Sequence, residues 1–297
     1  MADKHILHMF APGRHVSPFD VNMALDAGFD AVVPYTGVGV DEVTALVQDA
    51  MFSRPPKSGA NTGIFIGGKS AVEALEALAK AKRALMPPFA LSLFADPAGS
   101  FTTAGAMVAK VERLLRAEQQ RELAGLKIAV FGATGVVGFA AGVIAALEGA
   151  AVTLVGYDGL TRVARAAEEI ERRFSVRVAA LDGSSETAKT EIVRENEAVF
   201  SAGRAGVRVL TAAQLARAPG LLVVADVNAV PPSGVEALDA KADGAKLPSG
   251  ALGLGALAIG GLKYRTQLGL LRRMIESDRP VSYDFRDAFA LARELVG

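Results

Sequence analysis

Residues 127–158 read KIAVFGATGVVGFAAGVIAALEGAAVTLVGYD, and their reading decides the fold. Ile128–Phe131 is a short, β-branched and aromatic run that predicts a buried strand. It meets Gly132-Ala-Thr-Gly135-Val-Val-Gly138, then an uninterrupted apolar helix, then a second strand, Val152–Val155, that leads to Asp158. Strand, glycine turn, helix, strand and closing acid are the parts of a dinucleotide-binding βαβ unit. Glycines let the backbone turn sharply and approach a pyrophosphate, while the helix N-terminus offers it free N–H groups and a positive dipole end. An acid ending the second strand accepts hydrogen bonds from ribose hydroxyls.

The glycines are spaced GxxGxxG, with Ala133 standing where a GxGxxG pattern would have its first glycine. Close helix–strand packing also selects glycine, but the flanking strands and the acid favour the nucleotide. The stretch carries no charge from Ile128 to Leu147, long enough for a membrane span, and Gly138 and Gly142 form a GxxxG pair. Three glycines crowded at 132, 135 and 138 would break a continuous helix, whereas a buried parallel strand followed by a buried helix gives the same hydropathy. The membrane reading is set aside.

The 297 residues have room for two domains, and their formal net charge is zero with acids and bases interspersed. No basic face is evident for nucleic acid. Without cysteine, thiolate catalysis, disulfides and cysteine metal sites are excluded. His5, His8 and His15 lack a matching carboxylate cluster, so no metal site is expected. Asp3-Lys4-His5 leads into only a short apolar run, so no signal peptide is expected and the protein is expected to be soluble and cytoplasmic.

Outward from the central stretch, strand and helix patterns alternate. Ile6–Phe10 reads as a strand, and Ser17-Pro-Phe-Asp20 opens a helix with a serine cap and proline in the first turn. Ala31–Pro34, Gly63–Ile66 and Ala90–Phe94 are strand-like, while 41–52, 71–85 and 102–117 are helical. The charged segment Arg116–Glu122 marks a boundary. The second half continues with helix Leu160–Phe174, strand Val176–Leu181, helix Glu186–Arg194 and strands Ala198–Ser201 and Leu222–Ala225. Gly250–Gly261 reads as a flexible apolar segment, followed by helices Leu262–Glu276 and Ser282–Leu295. Repeated β-then-α predicts parallel, doubly wound sheets. The expected architecture is α/β with two domains: an N-terminal parallel domain of residues 1–120, on which 263–297 pack back, and a Rossmann-type domain of 121–262.

Gly63-Ile-Phe-Ile-Gly67-Gly68-Lys69-Ser70 matches the phosphate-loop pattern GxxxxGK[ST], and Leu221–Asp226 would supply the strand ending in an acid. In such a loop the residues between the glycines curl around phosphates, but Ile64-Phe65-Ile66 belong in a strand, and a loop precedes Gly63. ATP or GTP hydrolysis is therefore not expected. Gly67-Gly68-Lys69 is instead a polar turn at a strand's C-terminal end, where open α/β sheets bind ligands.

Other polar clusters end strands: Tyr35-Thr36-Gly37, Asp96–Thr103, Ser201-Ala202-Gly203 and Asp226-Val-Asn228. Each alone is a reasonable turn or helix cap. Their emergence at one sheet edge with the glycine turn favours a site. Lys263, after Gly260-Gly261, matches a snorkelling surface lysine as well as a ligand-facing one.

SPFDVNMALDAGFD (Ser17–Asp30), PYTGV (Pro34–Val38), FSRPP (Phe52–Pro56), FADPAGSFTT (Phe94–Thr103), ADVNAVPP (Ala225–Pro232) and GALAIGGLKY (Gly255–Tyr264) together resemble the NAD(P)-dependent methylene-tetrahydromethanopterin dehydrogenases of methylotrophic bacteria, over essentially the whole chain. Of the two kinds in that family, an NADP-specific one that also accepts methylene-tetrahydrofolate and one that uses NAD or NADP and prefers the methanopterin, the sequence is more similar to the second. The resemblance implies hydride transfer from methylene-tetrahydromethanopterin to NAD(P)+ in formaldehyde oxidation, a pterin cleft between the two domains, and a homo-oligomer, trimer or hexamer. It implies that the cofactor lies on Gly132, Ala133, Thr134, Gly135, Val136, Val137 and Gly138, on Asp158, and on Ser201, Ala202 and Gly203. It places the pterin near Asp20, Tyr35, Lys69, Asp96, Ser100, Thr102 and Thr103, with Lys263 beside the hydride-transfer centre. The strand-end clusters add Asp226 and Asn228 to the cofactor side and Thr36 to the substrate side.

Removing hydride from a carbon between two nitrogens leaves a cation delocalised over N–C–N, so no proton need be abstracted and no Cys, His or metal is required. Lys263 is accordingly expected to orient the pterin, since an ammonium beside a nascent cation is unfavourable. Asp158 accepts from the ribose 2′-hydroxyl of NAD but repels the 2′-phosphate of NADP, and Arg162 partly offsets that repulsion. NAD is thus expected to be favoured and NADP tolerated. A methylene-tetrahydrofolate dehydrogenase and a nucleotide sensor without turnover remain the alternatives.

Overall fold

The computed structural model describes residues 4–297. The chain runs β1 (Ile6–Ala11), α1 (Pro18–Ala27), β2 (Ala31–Thr36), α2 (Val43–Phe52), β3 (Thr62–Ile66), α3 (Ala71–Ala84), β4 (Ser92–Ala95) and α4 (Ser100–Leu114). It continues with β5 (Lys127–Phe131), α5 (Val136–Leu147), β6 (Ala151–Gly156), α6 (Leu160–Phe174), β7 (Ala179–Asp182), α7 (Glu186–Glu195), β8 (Ala198–Ser201), α8 (Ala212–Ala216) and β9 (Val223–Asp226). The last elements are β10 (Asp243–Lys246), β11 (Leu252–Leu254), α9 (Ala256–Glu276), β12 (Ser282–Tyr283) and α10 (Phe285–Val296). Contacts divide the chain into two compact units: residues up to Thr102 with Tyr264–Leu291, and Thr103–Lys263 with Ala292–Gly297.

The first unit holds a sheet ordered β12-β4-β3-β1-β2, parallel throughout. β3 is buried along its whole length, as the run Thr62-Gly-Ile-Phe-Ile66 requires of an interior parallel strand. Ile64, Phe65 and Ile66 are therefore strand, and the phosphate-loop pattern is a coincidence of spacing. Ser17 caps α1 by accepting from Asp20 N at 3.3 Å, with Pro18 in its first turn. Along α3, Ala71, Ala74, Ala77, Leu78 and Ala81 are buried at helical spacing. The C-terminal helices pack on this unit: Gln267 of α9 bonds Asp20 of α1, and the rings of Phe285 and Phe101 meet edge to face. Because β1 leads to β2 on one side and lies beside β3 on the other, the strand order reverses between β1 and β3.

The second unit holds a sheet ordered β10-β11-β9-β8-β5-β6-β7, parallel except for the β10–β11 pair. Ile128–Phe131 of β5 is buried on both faces, which accounts for its continuous apolar run. The reversal here lies between β5 and β8.

Several boundaries differ from the sequence expectation. Gly250–Gly261 is not a flexible segment: Leu252–Leu254 pairs with β9, and α9 begins at Ala256 rather than near Leu262. Two glycines inside a helix cost about 1 kcal/mol each. Burial of Ile259 and Leu262 in the same turns outweighs that loss. Ser282–Leu295 is not one helix either. Ser282 and Tyr283 pair with Leu93 and Phe94 of β4, and α10 starts only at Phe285. The strand expected at Val176–Leu181 lies at Ala179–Asp182. Contacts assign Thr103–Leu114 to the second unit, whereas the sequence boundary lies at 120; Lys110 and Glu112 there are buried and paired with Asp243 and Arg293 of that unit.

Candidate functional site

In the second unit the glycine turn sits at the C-terminal ends of β5 and β8, the crevice where open α/β sheets take ligands. Gly132 adopts φ +78, and a Cβ there would lie 2.2 Å from the carbonyl oxygen of Ala202. A Cβ on Gly138 would lie 2.5 Å from the carbonyl oxygen of Gly132. Three backbone segments thus touch without side chains between them. The missing glycine at Ala133 is made good one residue earlier, since Gly132 takes the left-handed conformation and Ala133 is simply buried. Gly135 is the N-cap of α5 and has no side chain to satisfy the first-turn N–H groups, which leaves them for an anion. Val136 and Val137, in that first turn, are half-buried.

The turn opens on a cavity of about 570 Å³, lined by Gly132, Thr134 and Gly135, by Tyr157 beyond β6, and by Ala202 and Gly203 beyond β8. Its size, the uncapped helix start and the backbone cradle fit a dinucleotide. Asp158 does not line it. The carboxylate, 35% exposed, accepts from Arg162 at 2.9 Å, and Arg162 also donates to the Tyr157 hydroxyl at 3.1 Å. Ser201, Asp226 and Asn228 form an internal brace. Asp226 accepts from Ser201 Oγ at 3.0 Å and from the backbone N–H groups of Asn228 and Val235 at 3.2 and 3.0 Å. Burial raises its pKa, against the lowering effect of these donors. Asn228 accepts from Gly206 N and Val230 N and donates to the Pro232 carbonyl. Of the two strand-end clusters, only Ala202 and Gly203 reach the cavity.

In the first unit a cleft of about 510 Å³ lies at the β1/β3 reversal, lined in part by Arg14, His15, Asp20, Gly68, Lys69 and Ala98. Asp20 is 3% exposed and accepts from Gln267 Nε2 at 2.7 Å, while Lys69 is exposed. Asp96 is fully buried and accepts from the N–H groups of Phe101 and Thr102 at 2.8 and 3.2 Å and from Thr102 Oγ1 at 2.6 Å. The carboxylate thereby satisfies the start of α4, where its charge also meets the helix dipole favourably. Ser100 is buried and Thr103 half-buried in the same turn. Tyr35 and Thr36 do not line the cleft: the Tyr35 hydroxyl lies 3.2 Å from His8 Nδ1, and Thr36 is exposed at the end of β2. Burial, and secondarily the charge of Arg54, hold the His8 pKa below its usual value. Lys263 lies in α9, half-buried.

The sequence reading did not pick out Arg14 and His15 in the cleft, nor Gly183, Ser184, Lys189, Arg204 and Arg208 at the nucleotide cavity. Gly183-Ser184-Ser185 is itself a polar turn ending a strand and carried a usable signal. Arg14, Arg204 and Arg208 sit on irregular segments with no pattern to mark them, and Lys189 lies on α7 among other charged residues.

Residues 18–98 match the family described as methylene-tetrahydromethanopterin dehydrogenase, N-terminal. The chain is 50% identical over 295 residues, 99% of each chain, to the NAD(P)-dependent methylenetetrahydromethanopterin dehydrogenase of Methylorubrum extorquens. It is 33% identical, over 99% of each chain, to the bifunctional protein MdtA of the same organism. Among solved structures, shikimate 5-dehydrogenase from Listeria monocytogenes, in complex with shikimate and NAD, shares the fold at a TM-score of 0.51 and 15% identity, covering 99% of this chain and 96% of that one. With half of its residues shared along its full length, the chain belongs to the family of NAD(P)-dependent methylenetetrahydromethanopterin dehydrogenases.

Proposed function

We propose that this protein is an oxidoreductase that takes a hydride from methylene-tetrahydromethanopterin, leaving the methenyl form. The observation that carries the reading is the 50% identity along the whole chain to a dehydrogenase of that substrate. The glycine turn and its cavity supply an independent physical reason for a dinucleotide site. The nicotinamide of NAD or NADP, when bound, supplies the hydride acceptor.

The chain's own residues bind and orient. The backbone of Gly132–Gly138 and the first turn of α5 hold the pyrophosphate, and Ala202 and Gly203 pack beside it. Asp158, next to the cavity-lining Tyr157 and steadied by Arg162, reads the adenosine ribose. Asp20, Lys69 and the Asp96–Thr103 turn hold the pterin, and Lys263 orients its ring system. The product cation is stabilised by its own two nitrogens, so the residues need only align the reacting carbons about 3–3.5 Å apart and exclude water. No general base is assigned.

Functionally, residues 1–120 with 263–297 form the substrate domain and 121–262 the nucleotide domain. The reaction is assigned to one-carbon metabolism at the level of formaldehyde oxidation, carried out by a cytoplasmic homo-oligomer; the relative's name supports the substrate on which that assignment rests. Among the described residues no helix is long and apolar enough to cross a membrane. The test is to follow reduction of NAD+ and NADP+ with methylene-tetrahydromethanopterin and then with methylene-tetrahydrofolate. Turnover with the first substrate is expected. Preference for the folate, or nucleotide binding without turnover on either, would overturn the assignment.

A further inference from the structure

The nucleotide cavity carries more positive charge than a pyrophosphate needs. Lys189, Arg204 and Arg208 line it, and no carboxylate is among its lining residues. Two acids adjoin that lining, Asp158 beside Tyr157 and Asp182 beside Gly183, and both are engaged: Asp158 by Arg162 at 2.9 Å, Asp182 by Ser184 N at 2.8 Å. Two of the cations are tethered. Lys189 bonds Glu186 at 2.7 Å, and Arg208 bonds the Ser233 carbonyl at 2.8 Å and Glu236 at 3.1 Å. Neither Glu186 nor Glu236 lines the cavity. Arg204 is exposed, and its guanidinium has no partner among the described residues.

The glycine turn and the uncapped start of α5 already serve a pyrophosphate through backbone N–H groups. The cations line the same cavity as Tyr157 at the end of β6, Lys189 from the helix that follows β7 and Arg204 and Arg208 from the segment that follows β8. The β6 end of a Rossmann crevice takes the adenosine half of a dinucleotide. A phosphate monoester there brings close to two further negative charges and three acceptor oxygens, which the planar fork of an arginine matches with paired donors.

We propose that this cationic end of the cavity is a 2′-phosphate site, with Arg204 the residue that reads the phosphate and Lys189 and Arg208 its tethered supports. The inference rests on the nucleotide-binding reading of the cavity. It moves cofactor discrimination from Asp158 alone to a balance. Arg162 offsets the acid that would repel a 2′-phosphate, and Arg204 attracts that phosphate from the opposite segment, so the site admits NADP alongside NAD.

The test is calorimetric titration of the full chain with adenosine 2′,5′-bisphosphate and with 5′-AMP, comparing the parent, Arg204→Ala and Arg204→Lys. The parent should bind the bisphosphate at least about tenfold more tightly, as one charge-assisted pair requires. Arg204→Ala should cut that ratio to about threefold or less, and Arg204→Lys should restore part of it. An unchanged ratio in Arg204→Ala would overturn the proposal. Equal weakening of both ligands would do the same, because Arg204 would then serve the 5′-phosphate. If the parent bound neither nucleotide nor NAD+, the nucleotide reading itself would fall and this inference with it.

Discussion

Gly138→Ala separates the nucleotide site from the fold. A Cβ at 138 would lie 2.5 Å from the carbonyl oxygen of Gly132, 2.8 Å from its carbonyl carbon and 2.9 Å from the Cα of Ala133. All three are backbone atoms and none can rotate away. Carbon–oxygen contacts settle near 3.3 Å, so the turn must open by about 0.8 Å. It cannot retreat towards β8, because Gly132 is itself pressed on Ala202, where an added Cβ would sit 2.2 Å from a carbonyl oxygen. Overpacking of this kind costs about 1–3 kcal/mol of stability. For a protein of this size that lowers Tm by roughly 2–12 °C. Binding should suffer more. A shift of the helix start takes one or two N–H donors off the pyrophosphate, each charge-assisted bond being worth about 1.5–3 kcal/mol, so Kd for NAD+ should rise by about ten- to a hundredfold or more. Gly142→Ala, one turn further along α5, is the control. There the Cβ first meets Leu154 Cδ2 at 3.1 Å, the end of a flexible side chain, and helix propensity improves by about 1 kcal/mol. It should leave Kd within about twofold. Calorimetric titration with NAD+ and a thermal melt of each variant decide the matter. A Gly138→Ala protein that binds NAD+ within about threefold of the parent would refute the reasoning.

Lys263→Ala should lower kcat/KM for the pterin by about tenfold or more, a loss of about 1.4 kcal/mol of transition-state stabilisation; a change of twofold or less removes Lys263 from the site. Asp158→Ala removes the ribose acceptor and releases Arg162 from its 2.9 Å ion pair, so the NAD/NADP ratio in kcat/KM should shift towards NADP. An unchanged ratio rules out Asp158 as a reader. Glu112 is buried and accepts two bonds of 2.6 Å from Arg293. Because Arg293 is 34% exposed, Arg293→Ala should cost about 2 kcal/mol, below the full cost of a stranded buried charge, as read by urea unfolding. The His8 pKa is lowered chiefly by burial, so below its ordinary value of about 6.5 the unfolded chain takes up a proton that the fold resists. Stability should therefore fall as pH drops below about 6.5, and His8→Gln should show a shallower fall in Tm between pH 7.5 and 5.5. Equal falls would exclude His8 as the cause.

The central βαβ unit was legible because its determinants are local. A buried strand, a glycine turn, an apolar helix and a second strand follow one another within residues 127–158, and each is set by neighbours a few positions away. The serine cap and proline that start α1, and the strand character of Ile64–Ile66, were read for the same reason. Side-chain commitments were not legible. Asp226 and Asp96 end strands as a ligand-binding acid would, yet their carboxylates are spent on Ser201, Val235, Phe101 and Thr102. No spacing rule shows that a hydrogen-bond acceptor is already filled.

By itself, then, the amino-acid sequence determined the parallel α/β class, the position of the glycine turn and the acid that follows it. Burial periodicity and turn chemistry act over a few residues and are written in the order of the chain. Only tertiary structure decided the two-residue strand Ser282–Tyr283, which exists because β4 offers it a partner, and the early start of α9, which burial of Ile259 and Leu262 imposes despite two glycines. It also decided where the charges gathered: Lys189 from α7 and Arg204 and Arg208 from the segment after β8 meet around one cavity. Electrostatic environment is a property of distance in space, and residues far apart in the chain acquire it only once the sheet has ordered its strands.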